Sequence, residues 1–142
     1  DNFDKVNIDR ADLAIEPIPA MPDMYDYVTA YDFLEHIPRV LYLPHPTGLI
    51  RRYPFVNLMS EVWRVLNPDG LVLSSNPAFP HAAAWQDPTH VNIVTPDTFG
   101  EYFDDQKTWA RNYGFIGRFK INDMKYNGPH LVVILQKLPE ND

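Results

Sequence analysis

The sequence contains no cysteine. The chain therefore forms no disulfide bond and offers neither a thiolate metal ligand nor a cysteine nucleophile, which fits a reducing compartment such as the cytoplasm. The patterns G-x-S-x-G and H-E-x-x-H, typical of serine hydrolases and zinc peptidases, are also absent. No apolar run approaches the ~20 residues that span a bilayer, so we expect no membrane segment.

Basic side chains are in the minority, with 12 Lys and Arg against 19 Asp and Glu, for a net charge of -7. An acidic chain is a poor binder of nucleic-acid phosphates, and Arg51-Arg52 is the only obvious start of a basic patch. Hydrophobic residues make up 45% and aromatic residues 13% of the 142 positions. This composition predicts one globular domain and favours a small organic molecule over a nucleic acid as ligand.

The pattern that organises the chain is the run from Tyr25 to Pro38. It begins with Tyr, Val and Thr residues, which favour strands, and the predicted strand covers Tyr25–Ala30. It ends in Asp32, Glu35 and His36. In open α/β sheets ligands bind at the carboxyl ends of the strands, so these polar groups are predicted to lie at the ligand edge.

A helix and a second strand follow this run. Pro54 suits the first helical turn, and apolar residues from Phe55 to Leu66 recur at helical spacing. The tetrapeptide Asn67-Pro68-Asp69-Gly70 predicts a turn that stops the helix, and Leu71–Ser74 predicts a short strand. The order strand, helix, strand predicts a βαβ unit.

The amino-acid sequence of this unit resembles that of class I S-adenosylmethionine-dependent methyltransferases. In that family an acidic strand ends in a Leu-Glu-His turn and precedes a helix that closes in Arg-Val-Leu-Lys-Pro-Gly-Gly. This chain carries Leu34-Glu35-His36 and Arg64-Val65-Leu66-Asn67-Pro68-Asp69-Gly70 in the same order. The resemblance implies an α/β fold: an incomplete Rossmann-like methyltransferase sheet with a C-terminal antiparallel hairpin, in one partial domain over residues 1–142.

The resemblance also implies an activity, the transfer of a methyl group from S-adenosylmethionine to an unknown, small-molecule acceptor. Asp12 and Leu13 match an Asp-Leu pair at the end of the family's third strand and are implied cofactor contacts; a turn capped by Asp12 is an equal alternative. The first residues of the acidic turn, Tyr31, Asp32 and Leu34, are implied to line the cofactor pocket.

The family's glycine-rich opening turn is missing from this sequence. None of the six glycines forms a G-x-G pattern, so the chain is expected to be a fragment or a truncated relative. Two strands that flank the central strand in the family would then be absent, which predicts an open sheet edge. The alternative function is a non-catalytic module that self-associates or binds a partner through this edge.

Candidate chemistry lies in the acidic turn and in the loop from His81 to His90. A histidine can deprotonate an acceptor, so His36 and His90 are the candidate bases. The resemblance places the acceptor beside this loop, with His81, Trp85 and Asp87 as contacts. The structural alternatives are a turn in which Glu35 and His36 bond the backbone, and a loop pinned by the Asp87 and Thr89 side chains.

A metal site made of histidines and carboxylates is a third hypothesis, and no residue is assigned as a metal ligand. Glu35, His36, His81, Asp87 and His90 supply suitable donor types, but no local spacing matches a known zinc pattern. For the flanking segments we expect an extended loop over Arg39–Tyr53, a helix beginning at Thr95-Pro96, further helix over Trp109–Phe115 ending at Gly114, and strands over Arg118–Tyr126 and His130–Lys137. Residues 1–9 predict either an edge strand or a frayed terminus.

Overall fold

A computed structural model describes residues 10–140. The prediction for residues 1–9 lies outside that range. The described chain contains six strands and two α-helices: β1 (Tyr25–Tyr31), β2 (Leu41–His45), β3 (Gly48–Arg52), α1 (Pro54–Val65), β4 (Leu66–Pro77), α2 (Pro96–Tyr102), β5 (Phe119–Asn127) and β6 (His130–Lys137). Short 3-10 helices cover Leu34–His36, Ala82–Ala84 and Trp109–Tyr113.

The main sheet has the order β1-β4-β6-β5. Strands β1 and β4 are parallel neighbours, with Val28 opposite Val72, and α1 makes the crossover between them. Strand β6 runs antiparallel to both β4 and β5. The predicted βαβ unit and the predicted C-terminal hairpin are therefore both confirmed.

One edge of the sheet is open. Strand β1 pairs with β4 on one side, and in residues 10–140 no strand pairs with its other side. Three tyrosines of β1, Tyr25, Tyr27 and Tyr31, are exposed. The open edge that the sequence predicts is present in the described part of the chain.

The core lies between α1 and the sheet. The apolar stripe of α1 is buried, as its periodicity predicts, and Phe55 packs edge-on against Phe103 at a ring separation of 5.4 Å. Gly117 packs so closely on this layer that a Cβ atom there would lie 2.6 Å from Cγ of Trp63. This position therefore accepts only glycine without displacement of the tryptophan.

Two charged side chains at the core, Lys137 on β6 and Glu61 on α1, form polar contacts. The ammonium group of Lys137 is buried, donates to the Leu66 carbonyl at 2.6 Å and to Asp23 at 2.7 Å, and lies 4.4 Å from the centre of the Trp63 ring. On α1, Glu61 accepts from Arg64 at 2.6 Å. This bond is the main reason why the pKa of Glu61 lies below its ordinary value.

Three predictions for local structure are wrong. Residues Arg39–Tyr53 form no extended loop but the hairpin β2–β3, which reverses at Pro46-Thr47. Its prolines are tolerated because a two-stranded ribbon has free edges, where a missing N–H group costs nothing.

Asp12–Ile15 forms no strand end: Ile15 and Glu16 donate to the Asp12 carbonyl, and Ala14 donates to its side chain at 3.1 Å. The alternative, a turn capped by Asp12, is confirmed.

The third prediction, for the turn after α1, is wrong only in part, because α1 does end at Val65, just before this tetrapeptide. Strand β4 already begins at Leu66, and Asn67–Gly70 bulges out within it, because Tyr25 pairs with Leu66 while Tyr27 pairs with Leu71. Asn67 donates to the Asp26 carboxylate at 2.9 Å and fastens the bulge to β1. The turn residues are therefore absorbed into a longer strand.

The C-terminal predictions are largely confirmed. Thr95 caps α2 through a reciprocal pair of bonds with Thr98, and Pro96 is its first residue. Gly114 ends the next segment with φ of 95°, as predicted, but that segment is a 3-10 helix and not a continuation of α2. The left-handed Thr108, with φ of 50°, separates the two.

Candidate functional site

The acidic turn after β1 lies at the carboxyl end of the parallel strands, as predicted. Asp32 leaves the strand with φ of 48° and donates its N–H to the Ser75 carbonyl at 2.9 Å. Its carboxylate accepts from Nε2 of His130 at 2.7 Å and remains mostly exposed. This bond joins the end of β1 to the start of β6 across β4.

The following residues turn inward. Leu34 and Glu35 are buried, whereas the His36 side chain is 38% exposed. Burial raises the pKa of Glu35 above its ordinary value, chiefly by removing the carboxyl group from water. Its Oε2 atom is buried without a hydrogen-bond partner. A buried carboxyl oxygen without a partner is costly and calls for a physical explanation.

The loop between β4 and α2 is fastened onto this turn. Val91 donates its N–H to the Glu35 carbonyl at 2.8 Å, and the fully buried Asn92 donates from Nδ2 to the Leu34 carbonyl at 3.0 Å. The Asn92 Oδ1 atom accepts from Nε of Arg39 at 2.7 Å. Asn92 and Arg39 were missed by sequence reasoning; an asparagine inside the apolar run Val91–Val94 is the signal that could have found the first.

Within this loop, Asp87 and Thr89 form a compact turn. The Asp87 Oδ1 atom accepts from the Thr89 backbone at 2.8 Å and from the Thr89 hydroxyl at 2.7 Å, and these bonds are the main causes that lower the pKa of Asp87. The predicted pinning of the loop is confirmed. It brings His90 against the acidic turn.

Two histidines therefore face one carboxylate. Nε2 of His36 and Nε2 of His90 each lie 4.0 Å from Oε1 of Glu35, and the two rings meet edge-to-face with centroids 4.9 Å apart. The His90 side chain is only 7% exposed. Asp87 Oδ2 lies 3.7 Å from His90 Nε2. We call Glu35, His36 and His90 the Glu-His-His cluster.

Hydrogen bonding assigns the protons of both rings. Nδ1 of His90 lies 3.0 Å from the Ala84 carbonyl, which only accepts, so Nδ1 carries the proton. Nδ1 of His36 lies 3.1 Å from the Thr89 hydroxyl, whose single hydrogen goes to Asp87. Nδ1 of His36 is therefore also the donor. In the neutral rings, both Nε2 atoms therefore carry a lone pair.

The other candidate residues are dispersed. His81 packs beside Tyr126 with ring centroids 5.3 Å apart and takes no part in the cluster. Trp85 is 61% exposed and lines a surface depression together with Arg39 and Phe79. Leu13 lines a different groove, on the α1 side of the sheet, next to Leu58. The structure thus joins His36, His90 and Asp87 but leaves His81 and Leu13 elsewhere.

The predicted cofactor contacts divide into accessible and buried positions. Tyr31 is 60% exposed and Asp32 is open to solvent at the ligand edge, so both could hold a polar cofactor. The Leu34 side chain is 3% exposed and packs in the core, which leaves it no free surface toward a ligand. The fit to a nucleoside cofactor therefore rests on Tyr31 and Asp32.

A cavity of about 270 Å³ opens between the start of α1 and α2. Its walls are aromatic and include Tyr53, Phe55, Tyr102 and Tyr113, with Arg39 at its rim. Arg39 also lines the depression at Trp85. Two apolar recesses therefore flank Arg39, which bonds to Asn92 of the loop.

No helix in the described residues is long and apolar enough to cross a membrane.

Comparison with known proteins identifies the fold. No family model matches the sequence, and no curated protein matches it. Among solved structures, the [4+2]-cyclase SpnF has a TM-score of 0.56 and 14% identity over 91% of this chain and 54% of its own. An S-adenosylmethionine-dependent methyltransferase from Methanosarcina mazei has a TM-score of 0.56 and 16% identity, covering 92% of this chain and 66% of its own.

A third structure, assigned as an S-adenosylmethionine-dependent methyltransferase from Listeria monocytogenes, has a TM-score of 0.54 and 16% identity over 92% of this chain and 68% of its own. The chain thus spans between about half and two thirds of the length of these structures. It has the Rossmann-like class I methyltransferase fold, as the resemblance implied.

Proposed function

We propose that this chain, which has the class I methyltransferase fold, acts in the transfer of a methyl group from S-adenosylmethionine to a small organic acceptor. The observation that supports the proposal is the structural similarity to an S-adenosylmethionine-dependent methyltransferase and to a protein assigned as one, each over 92% of this chain. Fold alone does not fix an activity, since a cyclase shares it.

The residues at the ligand edge have roles that fit this reaction. S-adenosylmethionine would supply an electrophilic methyl group. Tyr31 and Asp32 would hold the cofactor, because they combine exposure with a position at the carboxyl end of β1. The His36 side chain is partly exposed, and its neutral ring has a lone pair on Nε2, which would accept the proton of an acceptor hydroxyl or amine. Catalysis would rest mainly on positioning.

The acceptor would bind at the Trp85 depression or in the neighbouring aromatic cavity. Both are apolar, and the net charge of -7 disfavours nucleic-acid phosphates. The absence of cysteine fits action in the cytoplasm.

Isothermal titration calorimetry with S-adenosylmethionine tests the cofactor assignment. We expect micromolar binding, weakened at least tenfold by Asp32→Ala, because this substitution removes the exposed acceptor at the ligand edge. Asp97→Ala is the matched control, since Asp97 lies in the first turn of α2, outside the predicted contacts. Absence of binding, or equal binding by the two variants, would contradict the proposal.

The alternative function is a binding module that uses the free edge of β1. The observation that favours it is the row of exposed tyrosines on β1, whose outer edge is unpaired in the described sheet. Sedimentation velocity distinguishes the two functions. A dimer that dissociates on Tyr27→Lys, in a chain that binds no S-adenosylmethionine, supports the module.

A further inference from the structure

The Glu-His-His cluster brings two ring nitrogens and a buried carboxyl group together without a hydrogen bond between them. Nε2 of His36 and Nε2 of His90 each lie 4.0 Å from Oε1 of Glu35, and the contacts at Nδ1 leave a lone pair on each Nε2 of the neutral rings. The Oε2 atom of Glu35 is buried and has no hydrogen-bond partner among the described residues. A cation between the three groups would be attracted by all of these lone pairs.

The distances distinguish a metal ion from a proton. A hydrogen bond from a protonated ring would bring Nε2 within about 3.2 Å of the carboxylate. The observed separation is 4.0 Å for both rings. Two ligand atoms of one tetrahedral ion, each bound at about 2.1 Å, lie ~3.4 Å apart. The observed separations are too long for a shared proton, and each has to close by about 0.6 Å to hold an ion between the groups.

The outer contacts of the rings are those of metal ligands. Ligating histidines usually donate their other N–H to a carbonyl or to a carboxylate-linked group, which orients the ring. His90 donates to the Ala84 carbonyl, and His36 donates to Thr89, which is itself bonded to Asp87. Both rings thus present Nε2 to the same point from fixed directions.

We propose that Glu35, His36 and His90 bind a divalent first-row transition metal ion. Their ligand atoms lie within 4.8 Å of one another, so a contraction of about 1.4 Å at most brings every pair to the ~3.4 Å spacing of a tetrahedral site. Imidazole and carboxylate ligands suit Zn²⁺ and its neighbours, whereas Mg²⁺ prefers oxygen ligands alone.

The burial of the cluster defines its open side. Glu35 and His90 are sealed from water, and the partly exposed His36 marks the side toward solvent. An ion here would keep a coordination position for water or an acceptor oxygen, whose pKa it would lower. This last step rests on the proposed methyl transfer and would replace the role of His36 as base. Metal binding itself does not depend on it.

Calorimetry on the chelator-treated 142-residue chain tests the site without cofactor or acceptor. With Zn²⁺ we expect one ion per chain, a dissociation constant on the order of micromolar or tighter, and much weaker binding of Mg²⁺. His90→Ala and Glu35→Gln are each expected to weaken Zn²⁺ binding at least 100-fold. Thr89→Val, at an exposed position outside the ligand set, is expected to weaken it ~10- to 100-fold by releasing His36.

The matched control is His45→Ala, because His45 is exposed on the hairpin β2–β3 and the hydrogen bonds of its side chain among the described residues go to Thr47. This variant is expected to bind Zn²⁺ as the wild type does. Histidine ring NMR signals provide a second readout: Zn²⁺ should shift those of His36 and His90 and leave His45 unchanged.

Three results would overturn the proposal. They are a stoichiometry well below one ion per chain, equal Zn²⁺ affinity in His45→Ala and His90→Ala, or ring signals of His36 that do not respond to Zn²⁺. Circular dichroism verifies that each variant is folded. If Glu35→Gln or His90→Ala does not fold, Thr89→Val and the NMR shifts still decide the outcome. Loss of S-adenosylmethionine binding alone would leave this proposal intact.

Discussion

Asn92 is the residue that fastens the loop to the acidic turn, and Asn92→Ala is the perturbation with the most specific expected result. The side chain is fully buried, donates to the Leu34 carbonyl at 3.0 Å and accepts from Arg39 at 2.7 Å. Truncation removes one of the two hydrogen bonds that the Leu34 carbonyl accepts, at a cost of about 0.5–1.5 kcal/mol, and the bond from Ile37 N–H at 3.1 Å remains. It also removes a bond to a charged group worth about 1.5 kcal/mol or more. Because Arg39 is exposed and regains water, we expect a total loss of about 1.5–3 kcal/mol.

Urea denaturation followed by circular dichroism measures this loss as a change in the free energy of unfolding. The matched control is Asn122→Ala, because Asn122 also bonds through its amide, to Gln136 at 3.1 Å, but at the exposed surface. The control is expected to change stability by no more than about 0.5 kcal/mol. In a double-mutant cycle with Arg39→Ala, we expect Asn92 to show a coupling of about 1 kcal/mol.

Equal destabilisation by Asn92→Ala and Asn122→Ala would contradict the stabilising role of the buried Asn92 amide. Additive effects of Asn92→Ala and Arg39→Ala would also contradict it, because the pair would then contribute no interaction of its own. A loss of Zn²⁺ affinity in Asn92→Ala is a further expectation, since His90 is held on the same loop.

Three further predictions concern stability. Lys137→Met is expected to cost about 1–3 kcal/mol, because it removes a buried charged donor, whereas Lys125→Met at an exposed ion pair should cost no more than about 0.5 kcal/mol. Gly117→Ala is expected to cost about 1–3 kcal/mol by overpacking, whereas Gly100→Ala, which has open space in α2, should be neutral or stabilising. Glu61→Gln should remove a contribution that is complete above pH 4.5 and lost as the pH falls through the depressed pKa of the carboxyl group.

Thermal and urea unfolding measure the first two comparisons. Equal losses in Lys137→Met and Lys125→Met, or a destabilising Gly100→Ala beside a silent Gly117→Ala, would contradict the burial and packing described above. For Glu61 the measurement is the stability difference between wild type and variant from pH 7 to 3. That difference should shrink below pH 4.5, and a difference that grows would show the wrong sign of the pKa shift.

The ligand edge and the βαβ unit were predictable because their causes are local. Strand-forming residues before Asp32, helical spacing after Pro54 and the capping pair at Thr95 act within a few residues, and each element forms where expected. The hairpin β2–β3 was missed because its prolines resemble loop residues, and only the pairing of the two strands tolerates them. The bulge at Asn67–Gly70 was missed because its cause is a bond to another strand.

The sequence alone determined which residue types are available. It has no cysteine, it places Glu35 and His36 directly after the first strand, and it places His90 54 positions after His36. It named His36 and His90 as candidate bases and His81 and Asp87 as acceptor contacts, but it did not show which of them meets Glu35, because spacing along the chain carries no distance between loops. Only the tertiary structure decided among them. The buried amide of Asn92 draws the loop onto the turn, places His90 against Glu35 and leaves His81 beside Tyr126.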